Sequence, residues 1–330
     1  MANFLGCVMG CKENGIMASS NISASGFVTV IGAANIDIIG RSTNSIILED
    51  SNPGHIETAP GGVGRNIAEN LARLGVNVKM VSALADDIFG KQILDISTMA
   101  GIDMGYCYKK AGAGSSVYLA ILDNAGEMRL ALSDMALLDG LPLEYLSQIG
   151  GVLKESRLIV LDACLREEAI SYILEAHSGI PVFLDPVSVG KSKHVKNIIG
   201  RFHTIKVNRL EAEYLSGIKV CSPSSAIKAC GYFINLGVKQ VFLSDGERGV
   251  YYESPEGGGH FGSSRVVPVN ATGAGDAFMA GIVYCYLNGY DIGFTTKFAT
   301  GMARVALSSM ETVNPQISVN KIYEEMRSLI

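Results

Sequence analysis

No lysine- or arginine-rich run occurs anywhere in these 330 residues, in which 27 basic residues stand against 32 acidic ones for a formal net charge of -5. That balance excludes the electrostatic footprint of a nucleic-acid binder or of a protein drawn to an anionic membrane. No apolar run reaches the ~18 residues needed to span a bilayer. No G-x-x-x-x-G-K-[ST] loop is present, which excludes the P-loop route to nucleotide binding. The seven cysteines include no Cys-x-x-Cys and no Cys/His cluster at zinc spacing. Reduced thiols in a cytoplasmic protein are therefore expected, rather than disulfides or a structural metal. The five histidines stand apart from any Ser or Cys nucleophile motif. With no repeat, no low-complexity tract and no linker, and with 48% hydrophobic and 18% charged residues, the chain reads as one large domain with a sizeable core. The expected partner is a small molecule.

Residues 1–26 are Ser/Asn/Gly-rich and read as a loosely ordered extension before a domain spanning 27–330. Cys7 and Cys11 each follow a glycine, but neither the basic segment nor the apolar stretch of a lipoprotein signal precedes them. From Phe27 on, short β-branched runs alternate with helical periodicity. The strand-like runs are 27–31, "VKMVSAL" (78–84), "RLIVLDA" (157–163), "PVFLDP" (181–186), "HTIKVN" (203–208) and "KQVFLSDG" (239–246). Helical patterns cover 65–74, 167–176, 224–236 and 275–287. This alternation predicts an α/β fold with a mostly parallel central sheet covered on both faces. Two segments break the rhythm: the polar, helix-poor residues 38–60, and 114–134 with its hairpin signal "DNAG". They predict a small separate β-sheet acting as a lid.

In such folds ligands sit beyond the C-terminal ends of the strands. Asn35 and Asp37, Asp185, Asn208 and Glu211, Ser244 to Gly246, and "ATGAGD" (271–276) all fall at predicted strand ends. A helix starting at Ala274 would turn the free N–H groups of residues 274–276, and the positive end of its dipole, toward the crevice. That is an anion site, with Asp276 placed to accept the proton of an attacking hydroxyl. The same stretch also fits a plain helix cap with Thr272 or Asp276 as capping residue. A second glycine cluster, "PGGVGRNIAENLARLG" (60–75), suits a hinge at Gly61 and Gly62, with the Asn66 amide presented to a hydroxylated ligand. It fits equally a Gly-rich turn into an amphipathic helix. "GGGHFG" (257–262) matches G-x-G-x-x-G but, with no helix after it, reads as a hairpin loop. "NIS" (21–23) and "NAT" (270–272) match glycosylation acceptors that carry no meaning in a cytoplasmic protein.

Together these stretches carry a resemblance. "PGGVGRNIAENLARLG" and "VNATGAGDAFMAG" (269–281) resemble the two signatures of the ribokinase-like (PfkB) carbohydrate kinase family. "GAANID", "FLDP", "KVNRLEAEYL" and "LSDGERGV" follow in the family's order over about residues 27–328. The finer pattern, "EDSNPG" (49–54), "YLAILDNAGEMRLALSDM" (118–135) and "VNATGAGD", is similar to the pseudouridine kinase branch of that family.

The resemblance implies a ribokinase-like three-layer α/β/α fold and a kinase that moves phosphate from ATP, with Mg²⁺, to the 5'-hydroxyl of a ribosyl substrate. Pseudouridine comes first, with ribose or another nucleoside as alternatives. A non-catalytic sugar sensor on the same fold is the competing class. Asp276 would be the base, and the backbone of Gly273, Ala274 and Gly275 the anion hole. Asn35, Asp37, Gly61, Gly62 and Asn66 would hold ribose hydroxyls. Asn208 and Glu211 would position Mg²⁺ through its waters, and Asn208, Ser244, Gly246 and Gly249 would meet the nucleotide. The last three equally fit a strand-to-strand turn. At the position where many members carry an Asp that helps bind a monovalent cation, this chain has Asn270, so little K⁺ activation is expected. Asn52, in a turn that Pro53 and Gly54 shape, is the candidate acceptor for the extra ring N–H of pseudouridine. The same turn also fits an exposed loop with no ligand contact. A homodimer pairing through the lids is expected, because exposed lid edges favour a covering partner.

Overall fold

The computed structural model of the chain describes residues 26–262 and 268–328. Of the expected extension over residues 1–26, residues 1–25 lie outside the described residues, as do residues 263–267 of the run "SSRVVPV" (263–269) ahead of "ATGAGD". In chain order the first half runs β1 (Val28–Ile31), β2 (Asn35–Ser42), β3 (Gly54–Gly61), α1 (Val63–Arg73), β4 (Val78–Val81), β5 (Ala83–Ala85), α2 (Ile88–Met99), β6 (Ile102–Asp103) and β7 (Tyr108–Lys110). The hairpin β8 (Val117–Leu122) and β9 (Met128–Asp134) leads into short helices α3 (Ala136–Asp139), α4 (Leu143–Gln148) and α5 (Gly150–Lys154). The second half continues with β10 (Leu158–Asp162), α6 (Glu167–Ala176), β11 (Val182–Asp185), β12 (Thr204–Asn208), α7 (Arg209–Ser216), α8 (Pro223–Leu236) and β13 (Gln240–Ser244), with only two short 3-10 turns between β11 and β12. It closes with a hairpin, β14 (Val250–Ser254) and β15 (Gly257–Phe261), and three helices, α9 (Ala274–Leu287), α10 (Ile292–Leu307) and α11 (Val319–Arg327).

Among the described residues nine strands form the large sheet, in the order β15-β14-β13-β12-β11-β10-β1-β4-β6. Every pairing from β6 to β13 is parallel, and β14 and β15 add an antiparallel edge. Strand residues such as Leu158 to Asp162 are buried on both faces, because helices cover both. Within that strand Ile159 and Leu161 enter the core shared with α6 and α8, through Ile170, Ile173 and Phe233. Leu158 and Val160 enter the core on the other face, with Ile67 and Leu71 of α1, Val283 of α9 and Phe298 of α10. The helix α9 is wedged between the sheet, α1 and α10, which is why it is apolar all round rather than on one stripe. This packing fixes its N-terminus rigidly over the strand ends.

The two segments that break the alternation meet in a second sheet of order β3-β2-β8-β9. Its register follows the pleat. Asp37, Tyr118 and Ser133 form one cross-strand row, and Ile38, Leu119 and Leu132 form the next, which points to the opposite face. Asp123 closes the hairpin by accepting from the backbone of Ala125 and Glu127 and from Arg129.

Three local expectations need correction. "VKMVSAL" is not one strand: it breaks at Ser82, and β5 leaves the large sheet to pair with β7. "GGGHFG" is not a loop but the edge strand β15, paired along its length with β14, so the hairpin turn lies one step earlier. The helix α9 is capped by neither Thr272 nor Asp276 but by Gly273 at φ 83. A side chain there would collide with the Thr312 carbonyl oxygen as well as strain the backbone.

Candidate active site

β1 lies between β4 and β10, so the chain's path reverses across it, and the crevice opens at the C-terminal ends of β1 and β10. One residue stitches the two sides together. The Asp162 carboxylate, fully buried, accepts from Ala33 N (2.7 Å), Gly64 N (2.9 Å) and Cys164 N (3.0 Å). It thereby ties the loop after β1 and the first turn of α1 to the end of β10. Burial pushes its pKa up to about 6 against these three donors. Asp162 was not singled out in the sequence. Its only signal is its place as the single charge ending the apolar run "RLIVLD".

Beside this clamp is a cleft of about 840 Å³ between the strand ends and the small sheet. Asn35, Asp37, Gly62, Asn66, Gly273 and Asp276, far apart in sequence, all line it. Asn35 and Asp37 sit at the start of β2, and the Asn35 amide donates to Asp37 Oδ1 at 2.7 Å. Burial nonetheless raises the Asp37 pKa, opposed by Asn35 and the Arg65 charge. Gly62 caps α1 at φ 98, and a Cβ there would run into the Ala33 backbone. The neighbouring Gly61 keeps clear of Asp37, whose carboxylate would strike any Cβ at that position. From the first turn of α1, Asn66 Nδ2 donates to Asp276 Oδ2 at 2.8 Å, while Asn66 Oδ1 accepts from Arg65 at 2.7 Å. Two glycine-capped helix N-termini, α1 and α9, are thus joined by one side-chain hydrogen bond.

In α9 the first intrahelical bond runs from Ala277 N to Gly273 O at 2.9 Å. The N–H groups of Ala274, Gly275 and Asp276 lie ahead of it, at the positive end of the helix dipole. Asp276 is buried and its pKa is pushed up to about 7. Burial is the main cause; the charge of Asp185 adds to it, the Asn66 hydrogen bond and the Lys206 charge oppose it, and Asp162 contributes a smaller rise. A carboxyl balanced near neutrality beside a set of free N–H donors can take a proton from a hydroxyl while the donors bind the anion being transferred.

The residues expected at the nucleotide do not line this cleft but sit on its flank. Asn208 and Ser244 are register partners at the ends of β12 and β13. Asn208 caps α7 in a reciprocal box: Glu211 N donates to Asn208 Oδ1 at 3.0 Å, and Glu211 accepts from Asn208 N at 2.8 Å and from Asn208 Nδ2 at 2.7 Å. Burial raises the Glu211 pKa against the charge of Lys206. Among the described residues no cluster of three or more His, Cys, Asp or Glu could hold a metal. A lone carboxylate whose rotamer is locked by a cap fits magnesium held by phosphates and waters, not an all-protein cage. Gly246 and Gly249, at φ 57 and 90, shape the turn between β13 and β14.

Asn52 has a different place from the one expected. Its Oδ1 accepts from Ile47 N at 2.8 Å and its Nδ2 donates to Ile47 O (2.9 Å) and Asp50 O (3.0 Å), so the amide closes its own loop and does not line the cleft. Instead, side chains that sequence reasoning passed over form the remaining walls: Tyr118 and Ser133 from the small sheet, and Arg166, Lys191, Lys193 and His194 from the loops after β10 and β11. The second loop is anchored at Val187, whose φ of 67 is strained for a β-branched residue and whose N–H donates to Asp185 Oδ1 at 2.9 Å. No short motif marks these residues; a basic cluster after "FLDP" was the available signal.

Asn270 is also engaged by the backbone. Its Oδ1 accepts from Thr272 N at 2.9 Å and its Nδ2 donates to Met310 O at 3.0 Å. The side chain brings no charge, and its oxygen already has a backbone partner, so this corner offers a weaker set of donors for the monovalent cation that the resemblance suggests.

With the geometry known, comparison with characterised chains is informative. A family model described as pfkB family carbohydrate kinase matches residues 25–318. The chain is 40% identical over 297 residues to the pseudouridine kinase of Escherichia coli K12, covering 90% of this chain and 95% of that one. A putative sugar kinase from Clostridium perfringens superposes with a TM-score of 0.83 at 36% identity, over 92% of this chain and 96% of that one. A putative ribokinase II from E. coli, solved with ATP and Mg²⁺, shares the fold at a TM-score of 0.79 and 17% identity, over 92% and 99% of the two chains.

Three outcomes are expected. If Asp276 must be ionised to act, kcat/KM should fall as pH drops through about 7. Asp276→Asn should lower kcat by ~100-fold or more with KM little changed. A flat profile from pH 5.5 to 9, or retained turnover in the variant, would exclude this carboxyl as the base. Replacing K⁺ by a bulky organic cation at constant ionic strength should leave the rate within about twofold, since Asn270 brings no charge to a cation and its oxygen already accepts from Thr272 N. A large loss of rate would show that a cation site forms nonetheless.

Proposed function

The chain belongs to the pfkB family of carbohydrate kinases and is a phosphotransferase with an alcohol acceptor, and from that premise we propose that it phosphorylates the 5'-hydroxyl of a ribosyl substrate, pseudouridine first. The observation that carries this reading is the Asp276 carboxyl, buried and balanced near neutrality, at the N-terminus of α9 and facing a cleft of nucleoside size. ATP bound with Mg²⁺ supplies the phosphoryl group and the charge that shields it. Asn208 and Glu211 would hold the metal's waters, and Ser244, Gly246 and Gly249 would meet the nucleotide from the β13–β14 turn.

Within the cleft, Asn35, Asp37 and Asn66 offer acceptors and donors at the strand ends, the chemistry that vicinal ribose hydroxyls require. Asn66 already bonds Asp276 in this structure, so a bound hydroxyl would enter an existing polar pair rather than an empty apolar hole. Asp276 takes the hydroxyl proton as the oxygen attacks, and the N–H groups of residues 274–276 receive the equatorial oxygens of the phosphoryl group in flight. Closure of the small sheet would exclude water from that transfer.

Pseudouridine is favoured by the close relative's activity and by the walls. Tyr118, Met135 and Val187 give apolar surface for a flat ring, while Ser188, Lys191, Lys193 and His194 give a polar rim at its edge. With Asn52 engaged in its own loop, this rim is the place to seek the discrimination between pseudouridine and uridine. A site with a buried acceptor for the extra ring N–H penalises the nucleoside that lacks it. ATP-dependent turnover of pseudouridine, uridine, adenosine, ribose and fructose 6-phosphate should show pseudouridine ahead of uridine by at least ~10-fold in kcat/KM. If ribose or adenosine is the better substrate, the kinase stands and the pseudouridine reading falls.

The small sheet also carries the assembly. Its face opposite the cleft row is apolar and open: Ile56, Leu130 and Leu132 are 76, 56 and 60% exposed. Ile56, Gly40, Ile121 and Leu130 lie in one cross-strand row. A second copy of the chain laid on this face would bury it and protect the β3 and β9 edges. Light scattering at micromolar concentration should give the mass of a dimer, and Leu130→Lys should shift it to monomer. A wild-type monomer would reject the pairing.

A further inference from the structure

The parallel register collects charge at the strand ends. Asp162 of β10 and Asp185 of β11 are register partners. The next strand contributes Lys206, one step beyond the last paired residues, Leu184 and Ile205. Lys206 is buried, and its Nζ donates to Asp185 Oδ2 at 2.9 Å. It also lies directly beneath the first turn of α9: a Cβ built on Gly275 would stand only 2.8 Å from Nζ. No role for this lysine follows from the kinase reading above.

We propose that Lys206 is a positioning residue for phosphoryl transfer: clamped by Asp185 under the glycine turn, its ammonium is the counter-charge that keeps Asp276 ionised and aimed. This inference rests on Asp276 being the base. Four residues approach Asp276 from the elements packed around it: Asn66 from α1, Asp162 from β10, Asp185 from β11 and Lys206 from β12. Two of these are carboxylates that oppose a further negative charge, and Lys206 is the cation among them. Asp37, Asp139, Arg166, Lys191, Lys193 and His194 also line the cleft. These groups border the open cleft, where solvent screening weakens charge, whereas Lys206 acts through the protein interior. Gly275 leaves room for this ammonium. Any side chain there would displace the ammonium from its place under the turn.

The test is the acid limb of the kcat/KM profile with pseudouridine as substrate, in the full-length chain. Lys206→Met should move the limb to higher pH, so that activity at pH 6.5 falls by ~10-fold or more while activity at pH 9 stays within ~3-fold of wild type. Lys206→Arg, which keeps the charge, should leave the limb near its wild-type position. Should Lys206→Met fail to fold because Asp185 is left buried and unpaired, Asp185→Asn provides the second measurement. It removes a repelling carboxylate and frees the ammonium, so the limb should move to lower pH. A loss that is equal at all pH values, or a limb unmoved in both variants, overturns the proposal and leaves Lys206 as a structural ion pair. Asp276→Asn separates the two readings: if it retains turnover, the base assignment itself has failed, and if it is inactive while the limb stays still, only the role of Lys206 has.

Discussion

Everything at this site depends on burying four carboxylates at the end of one parallel sheet without losing the fold. An isolated carboxylate taken out of water costs several kcal/mol, so each one needs fixed donors or a counter-charge. Asp162 has three backbone N–H groups, Asp185 has Lys206 and Val187 N, Glu211 has Asn208 twice, and Asp276 has Asn66. The provision is graded. Asp276 has one side-chain donor and feels two neighbouring carboxylates, and its pKa is pushed up to about 7, against about 6 for Asp162. A fold that merely needed a stable charge would have paired it fully. Incomplete compensation is what leaves a carboxyl able to exchange a proton near neutral pH.

The glycines follow from the same constraint. Donors from backbone N–H groups reach a carboxylate or a phosphoryl group only if the chain comes close, and close approach excludes Cβ atoms. Gly62 and Gly273 are the two sharpest cases, each at positive φ, each capping a helix whose N-terminus points into the cleft, and each with neighbouring backbone where a side chain would be. The dipoles of α1 and α9 thus converge on one volume. Each end is worth about 0.3 to 1 kcal/mol toward an anion at an exposed position and up to ~2 in partly buried geometry. Converging them costs backbone freedom at the glycines, and the tight packing of α9 against α1 and α10 holds the result.

Much of this was legible in the sequence. Asn35, Asp37 and Asp276, expected just beyond the ends of parallel strands, could be assigned to one crevice because such strands place all their C-terminal ends together, and all three line the cleft, whereas Asn208 does not. The two interrupting segments were legible as a separate sheet, since residues 38–60 are polar and helix-poor and "DNAG" marks a hairpin turn between β8 and β9 with no helix separating them. What was not legible has a common physical cause: it depends on where side chains find partners. Asn52 has the right chemistry for a base contact, but a loop amide satisfies its own backbone first when Ile47 and Asp50 lie within reach. Asp162 and Lys206 look like ordinary strand residues until register sets them beside Asp185. Ser82 ends β4 early and sends β5 to another sheet, a break that hydrophobic pattern alone does not show.

This division bears on which properties of the enzyme vary separately. The proposed transfer machinery is built from backbone and from charges whose neighbours are dictated by strand register, so changing one member would unbalance the others. The rim that would read the acceptor's base comes from loops after β10 and β11, and from the small sheet, where Arg166, Lys191 and Lys193 have no ion-pair partner shown among the described residues. Side chains there can be exchanged without disturbing the buried carboxylates, since loops tolerate substitution where the scaffold beneath them is rigid. Chemistry is therefore tied to the sheet and substrate choice to its surroundings. One strained joint connects them: Val187 holds the second loop in place through the same Asp185 that anchors Lys206.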